Sequence, residues 1–130
     1  MYQATTHSIT ITADPVFLDD ESNPQDHYYV WAYQIAIENQ RATTIQLLTR
    51  YWCITNKLGS TQEVRGQGVI GKQPVIHPGE TYHYTSGVPL TTPSGIMSGR
   101  YTFQEENGDL LETLIPTFSL DSPYETILLN

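Results

Sequence analysis

The strongest chemical reading in the sequence attaches to Gly66-Gln67-Gly68-Val69-Ile70-Gly71, a formal G-x-G-x-x-G flanked by Arg65 and Lys72. In a dinucleotide-binding unit such glycines join a strand to a helix, and the helix amides and dipole hold a pyrophosphate. Here the chain continues Lys72-Gln73-Pro74-Val75-Ile76-His77-Pro78. Two prolines and two β-branched residues exclude that helix. What survives is a weak, helix-free anion site, a backbone nest built from Gly66, Gly68 and Gly71 with Arg65 and Lys72 supplying charge. The competing reading is a bulged or tightly turned segment in which glycine lets two backbones approach closely.

Other chemistries find less support. His77 and His83 flank a turn, His7 and His27 lie far away, and no pair has a zinc spacing, so no metal residues are expected. Asp19, Asp20, Glu21 and Asp26 lack the spacing of a calcium loop and read as a solvated acidic segment. There is no G-x-S-x-G elbow, and Ser86 near His83 assigns no role by proximity alone. Cys53 sits in an apolar strand without an adjacent base and reads as a buried structural thiol. No catalytic residue and no cofactor are expected.

The elements that would position these residues are strands. Ile9 and Ile11 alternate with polar neighbours until Asp14-Pro15, which reads as a break; Val16 to Leu18 then continues along an edge. Tyr28–Glu38 is a long strand with Trp31, Tyr33, Ile35 and Ile37 on one face. Thr44–Asn56 is a second, yet apolar residues fall on both of its faces: Leu47, Tyr51 and Cys53 against Leu48, Trp52 and Ile54. Such a strand is covered on both sides or changes phase at a bulge. Further strands are expected at Thr61–Arg65, around Tyr82 and Tyr84, at Met97–Glu105 and at Leu111–Leu120. His77-Pro78-Gly79-Glu80 marks a type II turn and Asn107-Gly108 a tight hairpin, while Gly87–Gly95 reads as loop. The cadence predicts an all-β immunoglobulin-like sandwich of about seven or eight strands, and Gly99–Phe103 has the pattern of a tyrosine corner around Tyr101.

The chain has 130 residues, suited to one domain spanning 1–130. All six bases lie between positions 41 and 100 with two acids, Glu63 and Glu80, a local excess of +4; the flanks hold the other twelve acids and no base, for a net −8. That balance argues against a nucleic-acid binder. A single cysteine forms no internal disulfide, and the start of the chain lacks the features of a signal peptide, which together point to the cytoplasm. No apolar run reaches the ~20 residues of a membrane helix. The 14 aromatic residues (9 Tyr, 3 Phe, 2 Trp) exceed what catalysis needs. Most belong to the core, and the surplus points to a surface for an unidentified protein partner or for a homo-oligomer.

Across most of its length the sequence resembles the ApaG family. The resemblance runs through Gln46-Leu47-Leu48-Thr49-Arg50-Tyr51-Trp52, Val64-Arg65-Gly66-Gln67-Gly68-Val69-Ile70-Gly71-Lys72-Gln73-Pro74 and Pro78-Gly79-Glu80. It continues through Tyr84-Thr85-Ser86-Gly87, Met97-Ser98-Gly99-Arg100-Tyr101 and Ile115-Pro116-Thr117-Phe118-Ser119-Leu120, in the family's order from about Ser8 to Tyr124. Gln67 and Lys72 stand where the family more often has acids. The resemblance implies an immunoglobulin- or fibronectin-III-like sandwich. It also implies a non-catalytic interaction or regulatory module associated with cobalt resistance and magnesium efflux. A pyrophosphate-binding role for the glycine run is the alternative it brings, carried here to Gly66, Gly68 and Gly71.

Overall fold

The computed structural model describes residues 1–125. Nine strands follow in chain order: β1 (Tyr2–Thr6), β2 (Ile9–Phe17), β3 (Tyr29–Asn39), β4 (Ile45–Asn56), β5 (Thr61–Gln67), β6 (Val75–Ile76), β7 (Thr81–Leu90), β8 (Gly95–Glu105) and β9 (Leu110–Leu120). One antiparallel sheet runs β1-β2-β3-β7, the other β5-β4-β8-β9 with β6 pairing β4. The all-β sandwich is as expected. The count rises above eight because β1 and the two-residue β6 carry too little alternation to be seen.

The alternating faces meet in a single core. Trp31, Tyr33, Ile35 and Ile37 of β3 all point inward, facing Leu47, Trp52, Tyr101, Phe103 and Phe118 from the other sheet. Ring contacts knit the core: Trp52 meets Tyr33 of the other sheet at 5.3 Å, and Phe118 at 6.0 Å and Tyr101 at 6.4 Å within its own, each edge-on. Such pairs add about 0.5–1.5 kcal/mol each beyond burial.

The two-faced strand resolves as a bulge. The β4–β8 register shifts between Leu47 and Thr49, leaving Leu48 without a partner. Before it Ile45 and Leu47 face inward; after it Trp52 and Ile54 do, and Tyr51 and Cys53 turn outward. Cys53 is therefore half-buried on the outer face, where a fully buried thiol was expected.

Two expected interruptions are strand. β2 runs through Pro15 and β7 through Gly87 and Pro89. The Leu18 amide donates to the Val30 carbonyl, so even-numbered residues of β2 bond to β3 and Pro15 turns its nitrogen the other way. There β1 has already ended, at the Tyr2–Ala13 pair. Pro15 thus costs no ladder bond, as edge prolines must not. The same parity governs Pro89.

The tyrosine corner is corrected. Tyr101 is fully buried, but its hydroxyl meets the hydroxyl of Tyr84 on the opposite sheet, not backbone upstream. Both turn signals hold: Glu80 N donates to His77 O with Gly79 at φ +82°, and Glu105 N donates to Asp109 O with Gly108 at φ +90°.

Candidate functional site

The glycine run forms the end of β5 and a tight hairpin. Val69 and Lys72 exchange both backbone bonds (2.8 and 3.0 Å), and the central residues Ile70 and Gly71 take φ of +44° and +77°. Positive φ at both is the signature of a type I′ turn. Gly68, at φ +61°, lets the Lys72 carbonyl approach to where a Cβ would lie only 2.1 Å away. Close backbone approach, the competing reading, is thus one role of the glycines.

Gly66 has a different role. Opposite it, on the inner face of β4, stands Arg50, and a Cβ on Gly66 would lie 2.8 Å from the Arg50 guanidinium. Arg50 fills that space and donates to the carbonyls of Gln67 (3.0 Å) and Gly68 (2.8 Å). The loop therefore turns carbonyl oxygens toward a cation. Its amides at Gly68, Val69 and Lys72 already donate to Leu48, Lys72 and Val69 carbonyls. An anion cradle needs such amides free. Of the expected anion-site residues, Gly66, Gly68 and Gly71 serve this local architecture, Lys72 is exposed on the hairpin, and Arg65 belongs to a separate cluster.

That cluster lies on the outer face of the β5-β4-β8-β9 sheet. Arg65, Tyr51 and Arg100 are direct cross-strand neighbours on β5, β4 and β8. The Tyr51 ring has the Arg65 guanidinium carbon 4.7 Å from its centroid and that of Arg100 at 4.2 Å. Contacts of this kind are worth roughly 0.5–1 kcal/mol when exposed. Glu63 pairs with Arg65 (3.1 Å) and accepts from the Tyr51 hydroxyl (2.9 Å), and Glu112 pairs with Arg100 (2.7 Å). The hydrogen bond to Glu63 raises the Tyr51 pKa. The stack borders a groove of about 430 Å³ that also touches Thr49, Gln67 and Thr102.

Tyr51 and Arg100 escape sequence reasoning because neither spacing nor motif joins them. The bulge at Leu48 places Tyr51 outside; without it the residue reads as an interior aromatic. The signal available was the phase conflict in β4 itself.

A second cluster lies between the layers. Burial raises the pKa values of Tyr84, Tyr101 and Tyr33. Hydrogen bonding between the Tyr84 and Tyr101 hydroxyls partly offsets this for Tyr84, and the positive charge of Arg50 works against it for all three. These phenols stay protonated at neutral pH and act as polar ties across the core. Among the described residues no group of three or more His, Cys, Asp or Glu gathers in a metal-holding arrangement, and no helix is long and apolar enough to cross a membrane.

Comparison with known proteins agrees with this architecture. Residues 19–105 match the ApaG domain family. The chain is 52% identical to Protein ApaG of Paramagnetospirillum magneticum and 50% identical to Protein ApaG of Parvibaculum lavamentivorans, covering 100% of both sequences in each case. Among solved structures it is similar to the putative ApaA protein of Bordetella pertussis, at 42% identity and TM-score 0.86, over 90% of this chain and 95% of that one. With its bulged β4, its glycine hairpin and its two facing sheets, this chain belongs to the ApaG domain family.

Proposed function

We propose that this chain is a non-catalytic protein-interaction module of the cytoplasm, recognising its partner through the outer face of the β5-β4-β8-β9 sheet. The observation that supports the reading is the Arg65–Tyr51–Arg100 stack and its groove. Tyrosine and arginine are the residue types that anchor protein interfaces. Both cations are already paired with Glu63 and Glu112, so the groove offers flat guanidinium and phenol faces more than unpaired charge. That suits a folded or extended protein surface better than a free phosphate. The family's association with cobalt resistance and magnesium efflux is then an effect exerted through the partner. The test is affinity capture with quantitative mass spectrometry, comparing the intact chain with Tyr51→Ala/Arg100→Ala. The same partner is enriched by the former and lost from the latter; identical capture profiles refute the reading.

Anion binding is the second reading, supported by the exposed Lys72 on the hairpin and opposed by the bonded amides of Gly68, Val69 and Lys72 and by the pairing of Arg65 with Glu63. Calorimetric titration of pyrophosphate, with Lys72→Ala as control, tests it: saturable heat lost in the variant supports it, and no heat at millimolar ligand removes it.

A further inference from the structure

The sandwich is shut along one side and open along the other. β9 packs against both β1 and β2, and Leu114 N donates to Thr6 Oγ1 across that seam. On the opposite side β5 and β7 each pair with one strand only among the described residues. Two backbone edges are left.

Their chemistry differs. In β7 the Asn39 amide donates to the Glu80 carbonyl, which fixes the parity: even-numbered residues bond to β3, and Thr81, His83, Thr85 and Gly87 turn N–H and C=O outward. Pro89 follows the same parity with a carbonyl alone. No described residue takes up these groups, and their side chains are exposed. β5 carries Glu63 and Arg65 along its edge, the kind of charge that blunts strand addition. β7 has ten residues, none of them Lys, Arg, Asp or Glu. Only Pro89, near its end, interrupts the row of donors.

Between the two edges lies a slot of about 290 Å³ with apolar walls from Tyr28, Ile54, Pro89 and Leu90 and a polar rim at Thr61 and Gln62. Strand addition works through this pairing of a free backbone edge with side-chain pockets beside it.

Charge selects the occupant. Arg41, Lys57, Arg65 and Arg100 are each paired with a carboxylate. Arg50 bonds only to carbonyls, and Lys72 forms no ion pair among the described residues. Both belong to the β4–β5 side of the opening, where they supply two positive charges with no carboxylate partner among the described residues. A second copy docked edge to edge about a two-fold axis would set this basic side against itself. An acidic chain would not.

We propose that β7 is a strand-addition site for an acidic, extended peptide segment of a partner protein, which pairs with Thr81–Gly87 and seats one apolar side chain in the Tyr28–Leu90 slot. The proposal rests on the interaction-module reading and gives the partner its chemistry.

The test is display of a random peptide library on the immobilised full chain, followed by binding and amide-exchange measurements on the enriched peptides. Enriched peptides are expected to be net negative with alternating apolar residues, and to slow exchange at His83, Thr85 and Gly87. Thr85→Pro removes an outward donor that no ladder bond uses, so the fold survives, as at Pro15 and Pro89, while peptide affinity falls about tenfold or more. An unchanged circular dichroism spectrum verifies the fold; Thr85→Glu, which sets a like charge against an acidic peptide and keeps the amide, serves as the second variant. Enrichment of basic peptides, no enrichment, or equal binding by both variants overturns the proposal. So does a concentration-dependent dimer abolished by Thr85→Pro, since β7 would then belong to a second copy. Tyr51→Ala/Arg100→Ala separates the two levels: a partner lost from that variant but held by Thr85→Pro keeps the module reading and sinks the edge.

Discussion

Removing one hydroxyl from the Tyr84–Tyr101 pair tests how the two layers are tied. Tyr101→Phe keeps the ring and its edge-on contacts with Trp52 (6.4 Å) and Phe103 (6.1 Å), so the hydrocarbon packing is preserved. What changes is the polar tie. The Tyr84 hydroxyl loses its partner while Tyr84 stays only 7% exposed. A lost hydrogen bond with a stranded buried partner costs about 1–2 kcal/mol. For a chain of this size that lowers Tm by about 3–6 °C. Removing both hydroxyls strands nothing, so Tyr84→Phe/Tyr101→Phe is less destabilised than the sum of the singles by about 1 kcal/mol. Urea unfolding followed by tryptophan fluorescence, with Trp52 inside the cluster, reads all four corners of the cycle.

The same pair has a pH signature. Burial lifts both phenols above the ordinary 10.0 in the folded chain. The folded state therefore holds these protons more tightly than the unfolded one. Their contribution is complete below pH 10, and stability falls as pH rises beyond it, by about 1.4 kcal/mol per pH unit for each tyrosine while the folded chain holds its proton. The double phenylalanine variant keeps the shares from Tyr33, Tyr51 and Tyr124 and loses stability more slowly above pH 10. Strict additivity of the two singles, or alkaline slopes that match between the native chain and the double variant, would refute the reasoning.

Four further substitutions probe the glycine hairpin and the core. Gly68→Ala, with its Cβ driven against the Lys72 carbonyl at positive φ, costs about 2–3 kcal/mol by denaturant titration. Gly66→Ala meets only the movable end of Arg50 and costs about 1 kcal/mol; the reverse ranking would contradict the assigned roles. Ile70→Asn creates Asn-Gly at the two positive-φ positions and relieves a β-branched residue that is 55% exposed, so Tm rises by the equivalent of about 1 kcal/mol. Thr113→Val replaces a fully buried hydroxyl, without a partner among the described residues, by an isosteric methyl; stability is unchanged or rises by about 1 kcal/mol, and a loss of that size would reveal an interaction at Thr113 Oγ1.

The layers were legible wherever alternation is strict. β3 shows it over its whole length because one face is core and the other is not. β4 showed the conflict but not its resolution, since a bulge is a property of the pair of strands and β8 lies some fifty residues away. The prolines misled for a related reason. Pro15 and Pro89 look like breaks until the neighbouring strands are known, because proline is tolerated where its nitrogen faces no acceptor. The glycine run misled at the level of chemistry. Its spacing is that of a phosphate loop, yet what matters is which way the peptide groups turn, and Arg50, from another strand, claims the carbonyls of Gln67 and Gly68.

Arg50 also connects the two candidate surfaces. Its backbone lies beside Tyr51, whose side chain enters the outer stack, while its own guanidinium goes inward, passes under Gly66 and reaches the β5 edge. One bulge sets both directions, because shifting β4 by a residue at Leu48 sends Tyr51 out and Arg50 in. The edge facing β7 therefore carries a cation whose bonds all go to carbonyl oxygens, and the outer face carries an aromatic platform between paired cations. Deleting Leu48 would restore regular pairing and keep both directions, with Thr49 outward, Arg50 inward and Tyr51 outward in plain alternation after Leu47. The positions of both surfaces follow from that single irregularity, because unbroken alternation from Leu47 through Leu48 would turn Arg50 out and Tyr51 in.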